Sequence, residues 1–414
     1  MALGLLIAAT NDARLMALAD QLVPIGTLWV NAIRMTVIPL VVSLLITGVA
    51  STTDVAAIGR LGARTVAVFV LLPAGIAAVM MPIIVTVFTW LPPAASRPPL
   101  PPGASEAASQ VVASEAPTLA AWLMSLVPSN PIAAAADGAM VPLIIFTLLF
   151  ALALTRAKAP ARNTILSVFQ AVAETMLILV RWVILAAPIG IFALILPLAA
   201  HAGSALVGGI GFYIVAYSLL SIVATLLLYP AAAMFGGVSI RRFARAALSP
   251  QLIAFSSSSS IASLPALVES AETELGLPKR TTGFVLPLAV STLKVAGPVS
   301  WSVGALFIGW FYGINLGFRE LATVAFAAVF LAFAAPGVPR GAFIMLTPLL
   351  LAVGLPAEGV GILIAVDALP DVFATVLNVT GDLAAAAIIG RRSSEESASE
   401  EGSGHESRVG TQIL

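Results

Sequence analysis

Residues 252–265 read LIAFSSSSSIASLP, and the five serines in this run interrupt an apolar stretch that extends over 243–275. Each flank of the interruption is too short to cross a bilayer, which takes about 20 apolar residues. A second apolar stretch, 320–356, is interrupted in the same way at Pro336–Gly341. Irregular backbone survives at membrane depth only where protein or water satisfies its polar groups. We therefore predict two re-entrant hairpins, each made of two half-helices that meet at an irregular tip.

The composition indicates a membrane protein. Of the 414 residues, 60% are hydrophobic and only 10% are charged, and the mean hydropathy is +1.06. Soluble globular proteins have roughly 25% charged residues, so a soluble enzyme is close to excluded. Basic and acidic residues balance at 20 each, which argues against a nucleic-acid partner. The chain has no cysteine and two histidines, so thiolate metal sites are excluded and a histidine metal site is disfavoured.

Apolar stretches long enough to span the bilayer account for most of the remaining chain. They cover 24–50, 64–91, 119–154, 164–200, 205–235, 281–311 and 358–390. Met1–Thr10 is apolar but too short to span, and we interpret it as the end of a truncated first helix. These features predict an all-α polytopic membrane protein embedded in the lipid bilayer.

Basic loop residues predict the orientation. Those that can share one side are Arg60, Arg64, Arg156, Lys158, Arg162, Arg241, Arg242, Arg245, Lys279, Arg280, Arg391 and Arg392. The positive-inside rule makes that side cytoplasmic, so the C-terminus is cytoplasmic and the Pro-rich loop 92–118 is extracellular. The serine hairpin then enters from inside and the Pro336–Gly341 hairpin from outside. The Ser/Glu-rich segment 393–414 is predicted to be a disordered cytoplasmic tail.

The last apolar span carries polar residues at helical spacing, namely Asp367, Asp371, Thr375, Asn378 and Asp382. On one continuous helix they fall within an arc of roughly 80°. A central carboxylate costs about 2.5–3.5 kcal/mol to insert, so these residues point to function. The alternative is that Asp367 and Asp382 lie near the interfaces and are simply solvated.

Lys294 stands in the middle of another apolar span, just before Gly297-Pro298. Proline removes a backbone donor and clashes with the preceding turn, so we expect the helix to open there. Carbonyl groups freed at such a point are natural cation ligands. The alternative is a lysine that snorkels to the interface.

The two hairpin tips offer groups that suit anions. Hydroxyl and N–H groups at the start of a half-helix, as in the serine run, suit a carboxylate. Arg340 at the other tip can offer a bidentate fork to a second carboxylate, or can be a gate residue that faces outside water.

A set of motifs, in order and with matching spacing, now identifies a resemblance. They are RMTVIPL at 34–40, VPSNP at 127–131, APIGIFA at 187–193, the serine tip ending in Leu264-Pro265, LPL at 286–288, GVP at 337–339, and Asp371 through NVTGD at 378–382. Over residues 10–392 the chain resembles the dicarboxylate/amino acid:cation symporters, the family of the glutamate-transporter homologues.

This resemblance implies a glutamate-transporter-like fold with about eight transmembrane helices, two re-entrant hairpins and a homotrimer. It also implies a mobile core that slides against a static scaffold, which is the elevator form of alternating access. On this reading 1–91 and 119–240 are scaffold segments, the latter holding helices 4, 5 and 6, and 241–392 is the transport core. Within the core, hairpin 1 is 243–275, helix 7 is 281–311, hairpin 2 is 320–356 and helix 8 is 358–390.

The resemblance also implies that the protein has a binding site for a small-molecule substrate and that it needs no cofactor. The substrate-binding residues carried over by position are Ser258, Ser259, Ser260, Val338, Pro339, Arg340, Asp371, Thr375 and Asn378. Ser259 and Ser260 with Asn378 would hold an α-carboxylate, and Asp371 an ammonium group. Asn378 and Asp382 would supply part of a residual sodium site.

Departures from the family pattern affect the cation site. Where the seventh helix of the family typically reads Asn-Met-Asp-Gly-Thr, this chain has Leu293 to Gly297, with Lys294 at the Met position. In the third helix a hydroxyl pair is replaced by Leu72 and Pro73. Our hypothesis is that the Lys294 ammonium replaces bound sodium and pairs with Asp382 or Asp371. The sequence does not decide whether H+ or Na+ is the coupling ion.

Departures also affect the substrate. Acidic-substrate members place an arginine at one of two positions that are Ser258 and Ala374 here. This favours an amino acid, with a neutral amino acid among the candidates, over a dicarboxylate, unless Arg340 reaches the site. The other classes left open are a sodium-coupled glutamate or dicarboxylate symporter, an anion-conducting channel-like homologue, an inactive paralogue and, least favoured, a membrane hydrolase with Lys294 as base.

Overall fold

In this computed structural model the structure describes residues 6–7, 10, 12–50, 55–91, 124–202, 208–334, 346, 349–356 and 359–410. Within these ranges the chain forms helices and no strands, so the all-α class is confirmed. The helices of the first half are α1 (Ala13–Asp20), α2 (Val23–Ala50), α3 (Val55–Phe88), α4 (Pro131–Ala136), α5 (Met140–Thr155), α6 (Ala159–Leu185) and α7 (Ala187–Ala202). Those of the second half are α8 (Gly208–Gly236), α9 (Ile240–Ser257), α10 (Ser260–Thr273), α11 (Lys279–Thr292), α12 (Gly297–Tyr312), α13 (Phe318–Ala334), α14 (Gly359–Val366) and α15 (Pro370–Gly410).

Five stretches of the described chain are long and apolar enough to cross a membrane. They are Gly59–Phe88, Ala159–Val183, Gly209–Gly236, Lys279–Tyr312 and Pro370–Arg391. A polytopic membrane protein fits this pattern, whereas a total of eight spans stays a prediction. The Pro-rich loop 92–118, most of Met1–Thr10 and the tip Pro336–Gly341 lie outside the described residues.

Two of the predicted long spans are broken. In 119–154, α4 ends at Ala136 with Asp137 as its C-cap, and Gly138 takes a positive φ of 67° before α5 begins. Glycine adopts this conformation without steric cost, so it ends the helix there. In 164–200, α6 ends at Leu185 and α7 begins at Ala187. Pro188 in its first turn has no N–H to donate to the preceding helix, which separates the two segments.

The serine run joins two helices that pack side by side, α9 and α10. Ser258 ends α9 in the left-handed region, with φ 47° and ψ 38°. Ser259 then caps α10, since its Oγ accepts a hydrogen bond from the N–H of Ala262 at 3.2 Å. Two half-helices meeting at this tip are therefore confirmed, and their re-entry into a membrane stays a prediction.

The helix predicted over 281–311 is open where Gly297-Pro298 indicated. The α11 helix ends at Thr292, Leu293 is extended with ψ 109°, and α12 begins at Gly297. Pro298 stands in the first turn of α12, where a missing N–H costs nothing. Residues 293–296 are named the break from here on.

The last span differs from a single helix. It comprises α14, a turn that contains Asp367, and α15 from Pro370 onward. The expectation that Asp367 shares a helix face with the other polar residues is wrong, because Pro370 starts a new helix after it. The backbone of α15 continues to Gly410, through a segment for which the sequence predicts disorder. An existing helix extends without a new nucleation step, and Ala, Glu and Arg favour it.

The packing centres on α15, which contacts α3, α8, α9, α10 and α11. Its residues Leu383 to Ala387 have no exposed surface. The α2 helix packs on α5, α6 and α7, and touches α10 and α11. Both α3 and α8, which the sequence assigns to the scaffold, pack on α12 and α15 instead. The scaffold and core division therefore stays a prediction for these two helices.

The left-handed conformation of Ser258 predicts how the tip responds to substitution. We expect Ser258→Gly to keep or raise the thermal stability of the detergent-solubilised protein, because glycine adopts positive φ freely. Ser258→Val should lower the unfolding free energy by about 1 kcal/mol, because valine carries two methyl groups on its Cβ and a β-branched residue is strained at positive φ. Equal melting temperatures for the two variants would contradict this account of the tip.

Candidate functional site

The break is held to α15 by one hydrogen bond. The backbone N–H of Ala296 donates to Oδ1 of Asn378 over 2.8 Å. A short distance along α15, a Cβ added to Gly381 would lie 2.5 Å from the Val295 side chain, so this side chain packs directly on the backbone of α15. Asn378 therefore positions the break directly against the helix that carries the site carboxylates.

Lys294 lies within the break and is partly exposed. Its Nζ donates a hydrogen bond to the carbonyl oxygen of Val290 at 3.0 Å. That carbonyl belongs to the last turn of α11, where no N–H of the helix is available to bond it. The expected direct pair with Asp382 or Asp371 is not formed, because the ammonium satisfies this helix end instead.

Asp382 is fully buried, with no exposed surface. Neither of its carboxylate oxygens has a hydrogen-bond partner among the described residues. Burial of a carboxylate that accepts no hydrogen bond is costly unless a positive charge nearby compensates it. The Lys294 ammonium interacts electrostatically with Asp382 and with Asp371, and it supplies that charge.

The serine tip lies beside the turn of α15 that carries Asp371 and Thr375. The rings of Phe255 and Phe373 form an edge-to-face pair with centroids 5.6 Å apart. Phe255 precedes Ser258 by one helical turn, and Phe373 follows Asp371 by two residues. Asp371 is partly exposed and Thr375 is buried. The predicted residues of the tip and of α15 are therefore neighbours.

Three predicted site residues, Val338, Pro339 and Arg340, lie outside the described residues. Within the described ranges no group of three or more His, Cys, Asp or Glu side chains could hold a metal ion. Of the residual sodium site, Asn378 already accepts a hydrogen bond through Oδ1, while the oxygens of Asp382 accept none from the described chain.

Sequence reasoning missed polar residues on α8. The Tyr217 side chain interacts with Ser300 of α12 and with the carboxylates of Asp367 and Asp371. Further along, Nε2 of Gln251 donates to the hydroxyl of Tyr229 at 3.0 Å and to Thr380 Oγ1 at 2.8 Å, which joins α8, α9 and α15. One signal was available: three of the four tyrosines of the chain lie in this one apolar span.

Comparison with protein families decides the class. The model of the Sodium:dicarboxylate symporter family matches residues 1–392. The chain belongs to this family. The hairpin, the broken helix and the polar face of α15 are therefore parts of a symporter-family fold.

Individual relatives share about 30% of their residues with this symporter-family chain. The proton/sodium-glutamate symport protein of Bacillus subtilis is 32% identical over 392 residues, which cover 91% of this chain and 87% of the relative. The proton/glutamate-aspartate symporter of Escherichia coli is 28% identical, with 94% and 90% covered. The human neutral amino acid transporter B(0) is 28% identical, with 88% and 72% covered.

Membership of the family makes the chain a secondary transporter of the membrane that needs no cofactor, and it excludes an enzyme. The hydrolase alternative is thereby wrong. The geometry agrees, since the hydrogen bond of Lys294 goes to a backbone carbonyl and not to a serine hydroxyl.

The bond between Asn378 and the break predicts the outcome of a matched pair of substitutions. Asn378→Leu leaves the N–H of Ala296 unpaired at a part-buried site, so we expect the unfolding free energy to fall by about 1–3 kcal/mol. Asn378→Gln keeps a neutral acceptor oxygen and should lose less. Thermal unfolding of both variants in detergent tests this, and an equal or larger loss for the glutamine variant would contradict the role of Oδ1.

Proposed function

We propose that this chain is a symporter of a small amino acid or a dicarboxylate in which Lys294 takes the place of a bound sodium ion. Transport follows the elevator form of alternating access and is proton-coupled or sodium-independent. The protein works as a homotrimer in the cell (inner) membrane, with its C-terminus cytoplasmic. The observation that carries this proposal is the fully buried carboxylate of Asp382, to which no group of the described residues donates a hydrogen bond. It follows Gly381, which packs against Val295, the neighbour of Lys294 in the break.

The cation requirement follows from the chemistry of Asp382. A buried carboxylate without hydrogen bonds requires a positive charge nearby, and removal of that charge is strongly destabilising. Sodium is a hard cation that takes oxygen ligands, yet the break offers Leu293, Lys294 and Val295 instead of oxygen-bearing side chains. A lysine ammonium has three N–H donors, of which Val290 takes one. The others are available to the carboxylates when the site rearranges.

The substrate site is proposed at the serine tip. Free backbone N–H groups at the start of α10, together with Ser259 and Ser260, suit the carboxylate of the solute. Asp371, which lies on α15 and is partly exposed, suits the ammonium group of the solute. Ala374 and Ser258 offer no charge to an acidic side chain, which favours a neutral amino acid. Arg340, in the predicted second hairpin, would favour a dicarboxylate.

A sodium-coupled glutamate or dicarboxylate symporter is the second candidate. It is favoured by the oxygens of Asn378 and Asp382, and by the proton/sodium-glutamate coupling in the name of the Bacillus subtilis relative. The two candidates differ in whether sodium is required for uptake.

Replacement of sodium separates these candidates. The purified protein in proteoliposomes is screened against neutral and acidic amino acids and C4-dicarboxylates, with sodium or choline outside and with or without an inward pH gradient. We expect uptake of the preferred solute to be unchanged in choline. Strict dependence on sodium would reject Lys294 as a replacement for the ion, and a solute-independent current would favour a channel.

Substitution of Lys294 tests its role directly. We expect Lys294→Met to reduce uptake at least tenfold, because Asp382 then loses its compensating charge. Lys279→Met is the matched control, since Lys279 is exposed at the start of the same helix pair, and it should transport normally. In the double variant Lys294→Met/Asp382→Asn the buried charge is removed, so thermal stability should recover although transport does not. Wild-type uptake by Lys294→Met would remove Lys294 from the mechanism.

A further inference from the structure

An ion pair joins the first hairpin to a helix outside the proposed core. Nε of Arg181, on α6, lies 2.7 Å from Oε1 of Glu269, on α10. The arginine side chain is 59% exposed and the glutamate side chain 25%. Nothing in the substrate or cation site uses either residue, so the pair calls for another explanation.

Each partner is fastened to its own group of helices. On one side, Nε1 of Trp29 donates to the carbonyl oxygen of Val183 at 2.9 Å, which ties α6 to α2 two residues from Arg181. On the other side, Oγ1 of Thr282 donates to Glu272 at 2.8 Å, which ties α10 to α11 one turn from Glu269. The ion pair therefore links two helix groups, each of which is held together by bonds of its own.

At another contact along this boundary no side chain stands between the two helices. At Gly283 of α11 a Cβ would lie 2.8 Å from the carbonyl oxygen of Leu44 in α2, so the backbones meet without side chains between them. A charge pair with defined geometry is, by contrast, either made or broken.

We propose that the Arg181–Glu269 ion pair is a latch that holds the core in one of its two positions, and that each transport cycle breaks and remakes it. This rests on the elevator mechanism proposed above, in which α9–α11 move relative to α2 and α6. A shift of one helical turn, about 5.4 Å, changes the 2.7 Å contact to a distance at which no ion pair exists. Arg181 and Glu269 are thus positioning residues that set the ratio of the populations of the two positions.

Spin-label distances measure that ratio without knowledge of the solute. The chain has no cysteine, so Val168→Cys on α6 and Leu248→Cys on α9 can be labelled specifically. Both side chains are more than half exposed, at 54% and 58%. Double electron–electron resonance in proteoliposomes then compares the native pair with Arg181→Gln, with Glu269→Gln and with the exchange Arg181→Glu/Glu269→Arg. Glu274→Gln is the matched control, because its 3.7 Å pair with Arg245 lies within the hairpin.

We expect two distance populations, and neutralisation of either partner should lower the ratio of the position seen here to the other position by roughly three- to fivefold. The exchanged pair should restore the original ratio, and Glu274→Gln should leave it unchanged. A single distance in all variants, or a ratio that neutralisation does not change, would overturn the latch. If two populations respond as expected while no solute of the screen is taken up, the transport proposal fails and the latch stands. If uptake is normal and the ratio is insensitive to the pair, the latch alone fails.

Discussion

Hydrocarbon offers no partner to a backbone N–H, a carbonyl or a charge, so each must be satisfied inside the chain. This constraint explains why the break and α15 belong together. The N–H of Ala296 is freed where the helix opens, and Asn378 bonds it. The carbonyl of Val290 is freed on the other side of the opening, and Lys294 bonds it. The residues that would bind a solute or a cation are therefore also those that make an irregular backbone tolerable.

Local chemistry predicted most of the irregular features from sequence. The serine tip and the break were predictable because serine caps, glycine and proline act on the residues next to them. The same logic failed at Asp367. The prediction assumed one continuous helix from Asp367 to Asp382, although proline at the first position of a helix, here Pro370, marks a new start. Asp371, Thr375, Asn378 and Asp382 keep the predicted spacing because all four follow that start.

Long-range pairs were beyond sequence reasoning. The bonds of Gln251 to Tyr229 and Thr380, and the pair of Arg181 with Glu269, join residues 22 to 129 positions apart. No periodicity or capping pattern encodes such a partner. Lys294 shows the same limit at short range: the sequence predicted a buried cation near carboxylates, but the competition between a carboxylate and an unpaired helix-end carbonyl depends on packing.

A tethered cation has a consequence for energy coupling that a bound sodium ion does not. Sodium enters from one side and leaves on the other, so its gradient drives the solute. In the elevator mechanism proposed above, Lys294 would stay on the core in both directions, and its charge would move back whenever the core does. It can compensate Asp382 and Asp371 in every step, but it releases nothing except a proton. If Lys294 replaces sodium, uptake against a gradient has to draw on protons exchanged within the Lys294, Asp371 and Asp382 group, and a chain that exchanges none can only equilibrate its solute.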